Sequence, residues 1–491
     1  MYDVIIIGGG VTGCSVARLL SRYQLRMALF EKEPDVCMGA SKANSAIVHG
    51  GFAEPSTTLK GRLCYTGRQE FAKLDSELHF GFSAIGSLVL AFTPQQAEGL
   101  QDLLQRGREN GLRDLSILIK HQVIAIEPNV NPDVVAALYC KGAGVCSPFE
   151  YTVALAENAI ENGLELFLSS SIASITKTES GFTLTTAAGE EYRTRYIVNA
   201  AGLGAGDISA LVGDKSYSIH SRSGEYILLR AGSGSTIKQV LFQMPTKMGK
   251  GILVTPTIYG NLLIGPDAID EESTDRNTHP ARLEKIHTTA LQTTKSIDIN
   301  LFLRSFAGAR PVASTGDFII EESKTVAGFI QAAGIQSPGL TASPAVADMV
   351  RGLLQKAGLG LKEKADFQPY RRPTYVPHKP FAPEILAPML DLPEGAEGRM
   401  LCRCEQVPEA LVRDAATRGI KLTTVDAIKR RTHAGMGLCQ GNFCRPRTAS
   451  LLTGINGGEV TPVTDPERDG LQRVTRQEFL TYLKEHPPEQ Y

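Results

Sequence analysis

Two groups of residues in this chain of 491 have types and spacings that can do chemistry, and they lie at opposite ends. Near the N-terminus Gly8, Gly10 and Gly13 form a G-x-G-x-x-G turn; near the C-terminus Cys402, Cys404, Cys439 and Cys444 form two tight pairs. Glycines at that spacing let the backbone turn sharply, let a pyrophosphate approach it, and let a helix pack closely on a strand. Four thiolates in two pairs serve zinc or an iron-sulfur centre, but C-x-C followed by C-x4-C is unusual for zinc, whose ribbons repeat C-x2-C. A bound dinucleotide together with an electron-transfer centre implies a chain that moves electrons.

The glycines need an element on either side. Residues 4–7 are β-branched and few enough for a buried parallel strand, and residues 14–21 read as the helix whose N-terminus faces the phosphates. A second strand over 27–30 ends at Glu31, whose carboxylate can accept hydrogen bonds from ribose hydroxyls and disfavours a 2′-phosphate. Glycines alone do not separate FAD from NAD. Residues 39–51, with Ser41, Asn44, Ser45 and His49, are small, polar and glycine-rich, suited to a backbone lying against a flat ring. Residues 196–202 read as a strand running into a turn at Gly202, on the phosphate or adenosine side. Gly334, Gly339 and Leu340 precede Ser343 and Pro344, which read as a helix start with proline in the first turn. A helix N-terminus there would stabilise negative charge on a reduced flavin.

Composition sets the frame for these elements. With 42% apolar and 21% charged residues the chain can bury a large core in two or more domains. A net charge of -1 with both signs interspersed gives no reason to expect nucleic acid as a partner. The nine cysteines show no disulfide framework and the start shows no signal peptide, so a reducing cytoplasm is the expected home. No apolar run approaches the roughly 20 residues of a spanning helix, so any membrane association is expected to be peripheral, at the inner face or through a partner.

Over residues 1 to about 360 the blocks ending at Gly13, Glu31, His49 and Gly202, with 308–311 and 333–340, resemble in order and spacing the D-amino-acid-oxidase-type FAD oxidoreductases. Residues 44–52, 251–257 and 260–266 look most like the glycerol-3-phosphate oxidase/dehydrogenase and L-2-hydroxyglutarate dehydrogenase branch. The resemblance implies an α/β fold with a Rossmann-like FAD-binding domain and an interleaved antiparallel substrate-binding sheet. It also implies oxidation of a secondary alcohol, with hydride passing to flavin while a base takes the hydroxyl proton. His49, on the loop that in this family lies against the flavin, is the expected base, since an imidazole titrates near neutral pH. Arg310, before Pro311, matches the arginine that binds the substrate's anionic group; a guanidinium forks onto carboxylate and phosphate equally well. Lys250 and Ser337 are further candidates for phosphate and flavin-side contacts.

A composition shift follows at residue 366. The prolines at 369, 373, 377, 380, 383, 388 and 393 preclude a long helix and mark 366–398 as a linker or an extended strap. Residues 400 to about 455, notably 402–405 and 435–441, resemble the bacterioferritin-associated-ferredoxin-like domain that binds a 2Fe-2S cluster, and the resemblance implies all four cysteines as ligands. Short helices over 408–418 and 424–431 would hold the two cysteine loops together. Lys429, Arg430, Arg431 and Arg445 either offset the negative charge of a cluster or form a solvated face. Cys14 and Cys64 read as small buried apolar groups, Cys140 and Cys146 as structural, and 476–485 as a terminal amphipathic helix for packing or a partner contact.

The expected division is therefore a flavin domain over 1–365, a linker, a small helical 2Fe-2S domain over 399–455 and a tail over 456–491. Within the first, 1–79, 146–215 and 321–365 would bind FAD, while 80–145 and 216–320 would form the substrate sheet. This arrangement resembles that of the catalytic subunits of anaerobic glycerol-3-phosphate dehydrogenases. The implied activity is FAD-dependent oxidation of sn-glycerol 3-phosphate to dihydroxyacetone phosphate, with electrons leaving through the cluster to an acceptor protein or a quinone-linked partner subunit. An oxidase needs no cluster. The alternatives are an L-2-hydroxyglutarate or other 2-hydroxy-acid dehydrogenase, and an electron-transfer subunit with no active substrate site, for which neither His49 nor Arg310 would be needed.

Overall fold

A computed structural model describes residues 1–245, 251–271, 276–374, 381–458 and 471–486. The β-branched N-terminal run forms the strand Tyr2–Ile7, flanked in parallel by Met27–Phe30 and Glu191–Asn199. Val4, Ile5 and Ile6 are completely buried, as a central parallel strand covered on both faces requires. Glu165–Phe167 extends the sheet beyond Met27–Phe30. On the other side Glu191–Asn199 divides its free edge: its first half pairs with the hairpin Ile172–Thr178/Gly181–Thr186, and its last residues pair in parallel with Phe329–Ala333. Ile319–Glu322 completes eight strands.

The helices Val11–Leu20, Leu59–Leu78, Pro148–Glu161 and Gly339–Lys356 pack on one another over this sheet. The last of them starts earlier than Ser343 and Pro344 suggest: it opens at Gly339, and Pro344 lies inside it. Proline there leaves the Leu340 carbonyl without its amide partner, and the Ser343 hydroxyl takes that place at 2.9 Å.

A second sheet of nine strands is assembled from 87–140 and 219–313. Its long pair is Ile219–Leu229 against Phe302–Ala313, which sets Arg222 opposite Arg310. The sheet is antiparallel at every pair but one, for Ser87–Ala91 and Val240–Gln243 run in parallel. No hairpin joins those two strands, since the chain returns to the first sheet between them, so nothing local imposes the antiparallel sense.

The proline-rich stretch is pinned where it begins. The Arg371 N–H donates to the Glu77 carbonyl at 2.8 Å and its buried guanidinium donates to Glu157 at 2.7 Å. One eight-residue helix, Pro383–Leu390, forms with a proline at its first position. The hairpin Met400–Cys402/Val407–Pro408 and the helices Glu409–Ala416, Val425–Thr432 and Cys444–Ile455 then make a compact unit. Its Leu411, Val412, Ile428, Leu451 and Leu452 join the same apolar core as the helices over the first sheet.

The tail returns to the second sheet. Arg476–Glu485 is closed by a Thr475/Glu478 capping box, and Phe479, completely buried, sets its ring centroid 5.5 Å from that of Phe302, tilted by 40°, and 6.5 Å from that of His287, edge to face. Truncating a buried phenylalanine costs about 3–5 kcal/mol, more than a ten-residue helix can recover on its own. Phe479→Ala is therefore expected to release the tail helix. Hydrogen exchange should show 476–485 losing protection while the Ile219–Leu229 strand keeps it; retained protection in the helix would mean that its cap and rim contacts hold it instead.

Candidate cofactor cavity and cysteine centre

One cavity of about 1040 Å³ joins the two groups of residues that can do chemistry: Gly8, Gly10, Glu31, Ser41, Asn44 and Gly202 stand in its wall, and so do Cys404 and Gly437. At the first end the turn is built as its glycines require. Gly8 has φ +110°, and a β-carbon there would meet the Ala200 carbonyl oxygen at 2.4 Å. Gly13 packs the helix on the strand, with room for no side chain 2.0 Å from the Gly8 carbonyl, and is not in the cavity wall. The helix Val11–Leu20 begins on Gly10 without a side-chain cap. Ser41 Oγ accepts from the Val11 N–H at 2.9 Å, and Val11 and Thr12 line the cavity, so the positive end of the helix is presented to it.

Glu31 is buried, which pushes its carboxyl up; the amides of Glu33 and Gly9 donate to it at 3.0 and 2.7 Å and pull it back. Asn44 spends its amide on its own loop, donating to Ala40 and Ser41 and accepting from Ala46 at 2.8 Å. Ser45, Gly334, Gly339 and Leu340 are not in the cavity wall; Gly334 turns the chain at φ +65° and Leu340 packs on the core below. Ile335 is the residue of that loop that reaches the cavity. A helix end for pyrophosphate, a carboxylate for ribose and a flat loop beside them fit FAD.

His49 follows the short strand Ile47–Val48. Its N–H donates to Thr341 Oγ1 at 2.9 Å, its Nε2 lies 3.5 Å from Ser337 Oγ, and its ring centroid is 5.8 Å from that of Phe242. It borders a small pocket with Gly50, Phe52 and Pro338, and is not among the residues lining the large cavity. Arg310 stands on the strand Phe302–Ala313, whose Ala309 and Pro311 line that cavity; Arg310 lies between them and is not in its wall, as the alternation of side chains along a strand requires. Its guanidinium donates to the Asp267 carbonyl at 2.8 Å, and Asp267 is held in turn by Arg282 at 2.7 and 2.9 Å. The structure thus brings His49 and Ser337 together and ties Arg310 to the Asp267 carbonyl, and places none of the three in the wall of the large cavity. Lys250 lies outside the described residues.

At the other end the four thiols face one another in two pairs. The Cys444 thiol donates a hydrogen bond to Cys402, which pulls Cys402 down to about 6 and holds the proton on Cys444. In the second pair burial raises Cys404, whereas for Cys439 the same effect is outweighed by the Phe443 amide and by Cys404, and its thiol is lowered. Amides of Gly435 and Glu405 donate to Cys402 as well. Among the described residues no three His, Cys, Asp or Glu side chains gather to hold a single metal ion. Two facing pairs of thiols with thiolate-stabilising amides fit the cysteine ligation of a 2Fe-2S cluster.

Between the two ends runs a contact that sequence reasoning missed. Asp35, completely buried, accepts from Arg430 at 2.5 Å and from Arg431 at 2.7 and 2.8 Å. Burial alone would raise its carboxyl, but Arg431 and Arg430 outweigh it and hold it down to about 2. Neither arginine belongs to a solvated face, since each is 3% exposed. Glu157, which binds Arg371 of the strap, lies 3.7 Å from Arg431 and extends the network. Beside it Tyr259 meets His433 at a ring distance of 3.9 Å, and Phe149 lies 5.9 Å from His433; all three line the cavity. A signal was available for the arginines: adjacent residues of a helix point about 100° apart, so a run of three cations cannot all face water when the helix is covered on one side.

Residues 3–353 match the FAD dependent oxidoreductase family, and residues 400–453 match the BFD-like 2Fe-2S binding domain. The chain is 43% identical over 464 residues to a glycerol 3-phosphate dehydrogenase of Caloramator mitchellensis, spanning 94% of this chain and 96% of that one. It is 33% identical to a glycerol 3-phosphate oxidase of Mycoplasma pneumoniae, over 70% of this chain and 92% of that one. Among solved structures, the dithionite-reduced L-alpha-glycerophosphate oxidase from Mycoplasma pneumoniae with FAD bound superposes with a TM-score of 0.73 at 29% identity, covering 76% of this chain and 99% of that one.

Proposed function

From a chain that belongs to the FAD dependent oxidoreductase family and carries a BFD-like 2Fe-2S binding domain, we propose a dehydrogenase that oxidises sn-glycerol 3-phosphate to dihydroxyacetone phosphate and sends the electrons out through the cysteine centre. The observation that carries the reading is the shared cavity: Cys404 stands in the same wall system as Gly8, Gly10 and Glu31, so a flavin and a cluster held by these residues border one space. The choice of substrate is supported by the 43% identical glycerol 3-phosphate dehydrogenase, whose match spans both parts of the chain.

FAD held by the Gly8–Gly13 turn and Glu31 would supply the hydride acceptor, and a 2Fe-2S cluster held by the four cysteines would supply one-electron transfer. The chain's own residues do the rest. His49 Nε2 takes the hydroxyl proton, and Ser337, 3.5 Å away, orients the imidazole. Arg310 binds the anionic phosphate, its planar fork kept in place by the Asp267 carbonyl. Ser41 and the uncapped end of Val11–Leu20 receive the cofactor's pyrophosphate, and Glu31 its ribose. Cys402, Cys404, Cys439 and Cys444 hold the cluster. On this reading the flavin unit spans 1–365 and the cluster unit 399–455, and any approach to a membrane is through the acceptor; no helix among the described residues is long and apolar enough to cross one.

Stopped-flow flavin reduction under anaerobic conditions tests this. Fast bleaching by sn-glycerol 3-phosphate and none by L-2-hydroxyglutarate is the expected result. Bleaching by the hydroxy acid alone would make Arg310 a carboxylate ligand, and bleaching by neither would leave an electron carrier without a substrate site.

A further inference from the structure

His433 ends the helix Val425–Thr432 in the left-handed conformation, with φ +66° and ψ 3°. Glycine is the usual residue at that place and asparagine the next, because a β-carbon crowds the following carbonyl. Ending the helix does not explain the ring. His79 ends Leu59–Leu78 in the same conformation with its side chain exposed, whereas the ring of His433 is half-buried against two others.

Those two rings lie parallel to each other, and His433 stands edge-on to both. Tyr259 is 3.9 Å away at 67°, Phe149 is 5.9 Å away at 61°, and the pair is 6.4 Å apart at 7°. Edge-to-face contacts hold a preferred geometry as well as burying area. Phe149 belongs to the first turn of Pro148–Glu161, over the first sheet. Tyr259 belongs to the second sheet, in a turn closed by the Gly260 N–H donating to the Thr257 carbonyl at 3.0 Å. One side chain of the cluster unit thus meets both sheets of the flavin unit, at the wall of the cavity that joins the two centres.

The residues that follow His433 form the inner side of the cysteine centre. The Met436 N–H donates to the His433 carbonyl at 3.0 Å, which folds 433–436 into a turn. The Gly435 amide, inside that turn, donates to Cys402. Gly437 then packs so closely that a β-carbon on it would come within 2.4 Å of the Cys404 β-carbon. An anchor at His433 therefore governs an amide on one thiol and the backbone behind another.

We infer that His433 is a positioning residue for electron transfer: clamped by Tyr259 and Phe149, it fixes the 433–437 segment against the flavin unit, and with it the Gly435 bond to Cys402 and the separation of flavin and cluster. The inference rests on the function proposed above. Each alcohol oxidised leaves two electrons to pass singly from flavin to cluster; a one-electron acceptor removes each in turn, and the protons go to solvent. Asp35 secures the helix Val425–Thr432 through Arg430 and Arg431, whereas His433 governs the loop beyond it.

The test uses the cofactor-loaded protein and three variants. His433→Asn removes the ring and keeps a residue suited to the left-handed backbone; Tyr259→Ala removes the same contact from outside the cluster unit, and Tyr259→Phe keeps the ring. After mixing with sn-glycerol 3-phosphate, the lag between flavin bleaching and the rapid-freeze EPR signal of the cluster should lengthen about tenfold in His433→Asn and Tyr259→Ala, since transfer is sensitive to displacements of about 1 Å. It should stay parental in Tyr259→Phe, and the double variant should lag no more than either single one, because one contact is removed twice. On protein reduced by dithionite, which needs no substrate, the same two variants should show an altered EPR spectrum and a lower cluster potential, because a hydrogen bond to a ligand sulfur stabilises the reduced form. Amide exchange in the resting protein should quicken at 434–437 and not in Val425–Thr432. A parental lag and potential in both His433→Asn and Tyr259→Ala would overturn the inference, as would slower bleaching with an unchanged lag, which would put the ring's role on the substrate side. No bleaching in the parent would count against the substrate assignment alone, and the dithionite comparison would still decide the role of His433.

Discussion

Replacing His49 by Asn is expected to leave FAD bound and to slow anaerobic flavin bleaching by sn-glycerol 3-phosphate about 10²- to 10⁴-fold, the contribution of a positioned general base. The substitution is chosen for what it preserves. His49 is tied to Thr341 through its backbone N–H, which Asn retains, so the loop between Ile47–Val48 and the Gly339–Lys356 helix should not move. Asn keeps a polar group near Ser337 but has no nitrogen that can take a proton. A drop in the bleaching rate with an unchanged flavin spectrum therefore reports the proton transfer, and a solvent isotope effect on the remaining slow step should change with it. A rate within about twofold of the parent would remove His49 from the mechanism. The position of His49 makes this the informative site: it borders the small pocket behind Pro338 and the larger cavity does not include it, so it acts only if substrate reaches the Ser337 side.

The features that could be read from the chain are those whose signals are local. The turn at Gly8, Gly10 and Gly13 is written in consecutive residues, because a tight turn, a close approach and a close packing each demand glycine at a fixed offset. The helix Arg476–Glu485 announces itself through Thr475 and Glu478, and the paired cysteines through their spacing. What escaped depends on residues far apart. Asp35 meets Arg431 across 396 positions, and nothing near Asp35 indicates a cation partner. The parallel pairing of Ser87–Ala91 with Val240–Gln243 comes from how two distant stretches return to one sheet. Leu340 and Gly339 lie in a segment of the right composition for a cofactor loop, yet backbone direction turns them toward the core and gives the cavity Ile335. A pattern of residue types marks the loop, whereas the rotation of the chain decides which side chain faces the ligand.

The contact that sequence reasoning missed has the largest expected structural effect. Asp35→Asn should destabilise the union of the flavin and cluster units by about 3–5 kcal/mol, since removing one partner strands buried charge. Asp35 receives three guanidinium bonds from two arginines that are themselves almost without solvent, and the neutral amide leaves Arg430 facing Asp426 alone and Arg431 facing Glu157 at 3.7 Å. Calorimetry should resolve an early transition for the cluster unit that the parent lacks. Flavin bleaching by substrate should persist, because the turn, His49 and Arg310 are untouched, while the cluster's EPR signal should lag behind the bleaching. Asp35→Asn with Arg431→Gln should recover part of the stability, as one stranded cation is gone.

The pH dependence has a defined sign. The folded carboxyl is held down to about 2, below the value of about 3.9 it has in an unfolded chain. The stabilisation is therefore complete above about pH 4 and is lost as pH falls through about 2. In that window the parent's early transition should emerge, and the Asp35→Asn protein, which has it already, should change little. Cluster reduction in step with bleaching in Asp35→Asn, with a single unshifted transition, would show that the apolar core shared by Leu411, Ile428 and the helices over the first sheet fixes the two units without the charges.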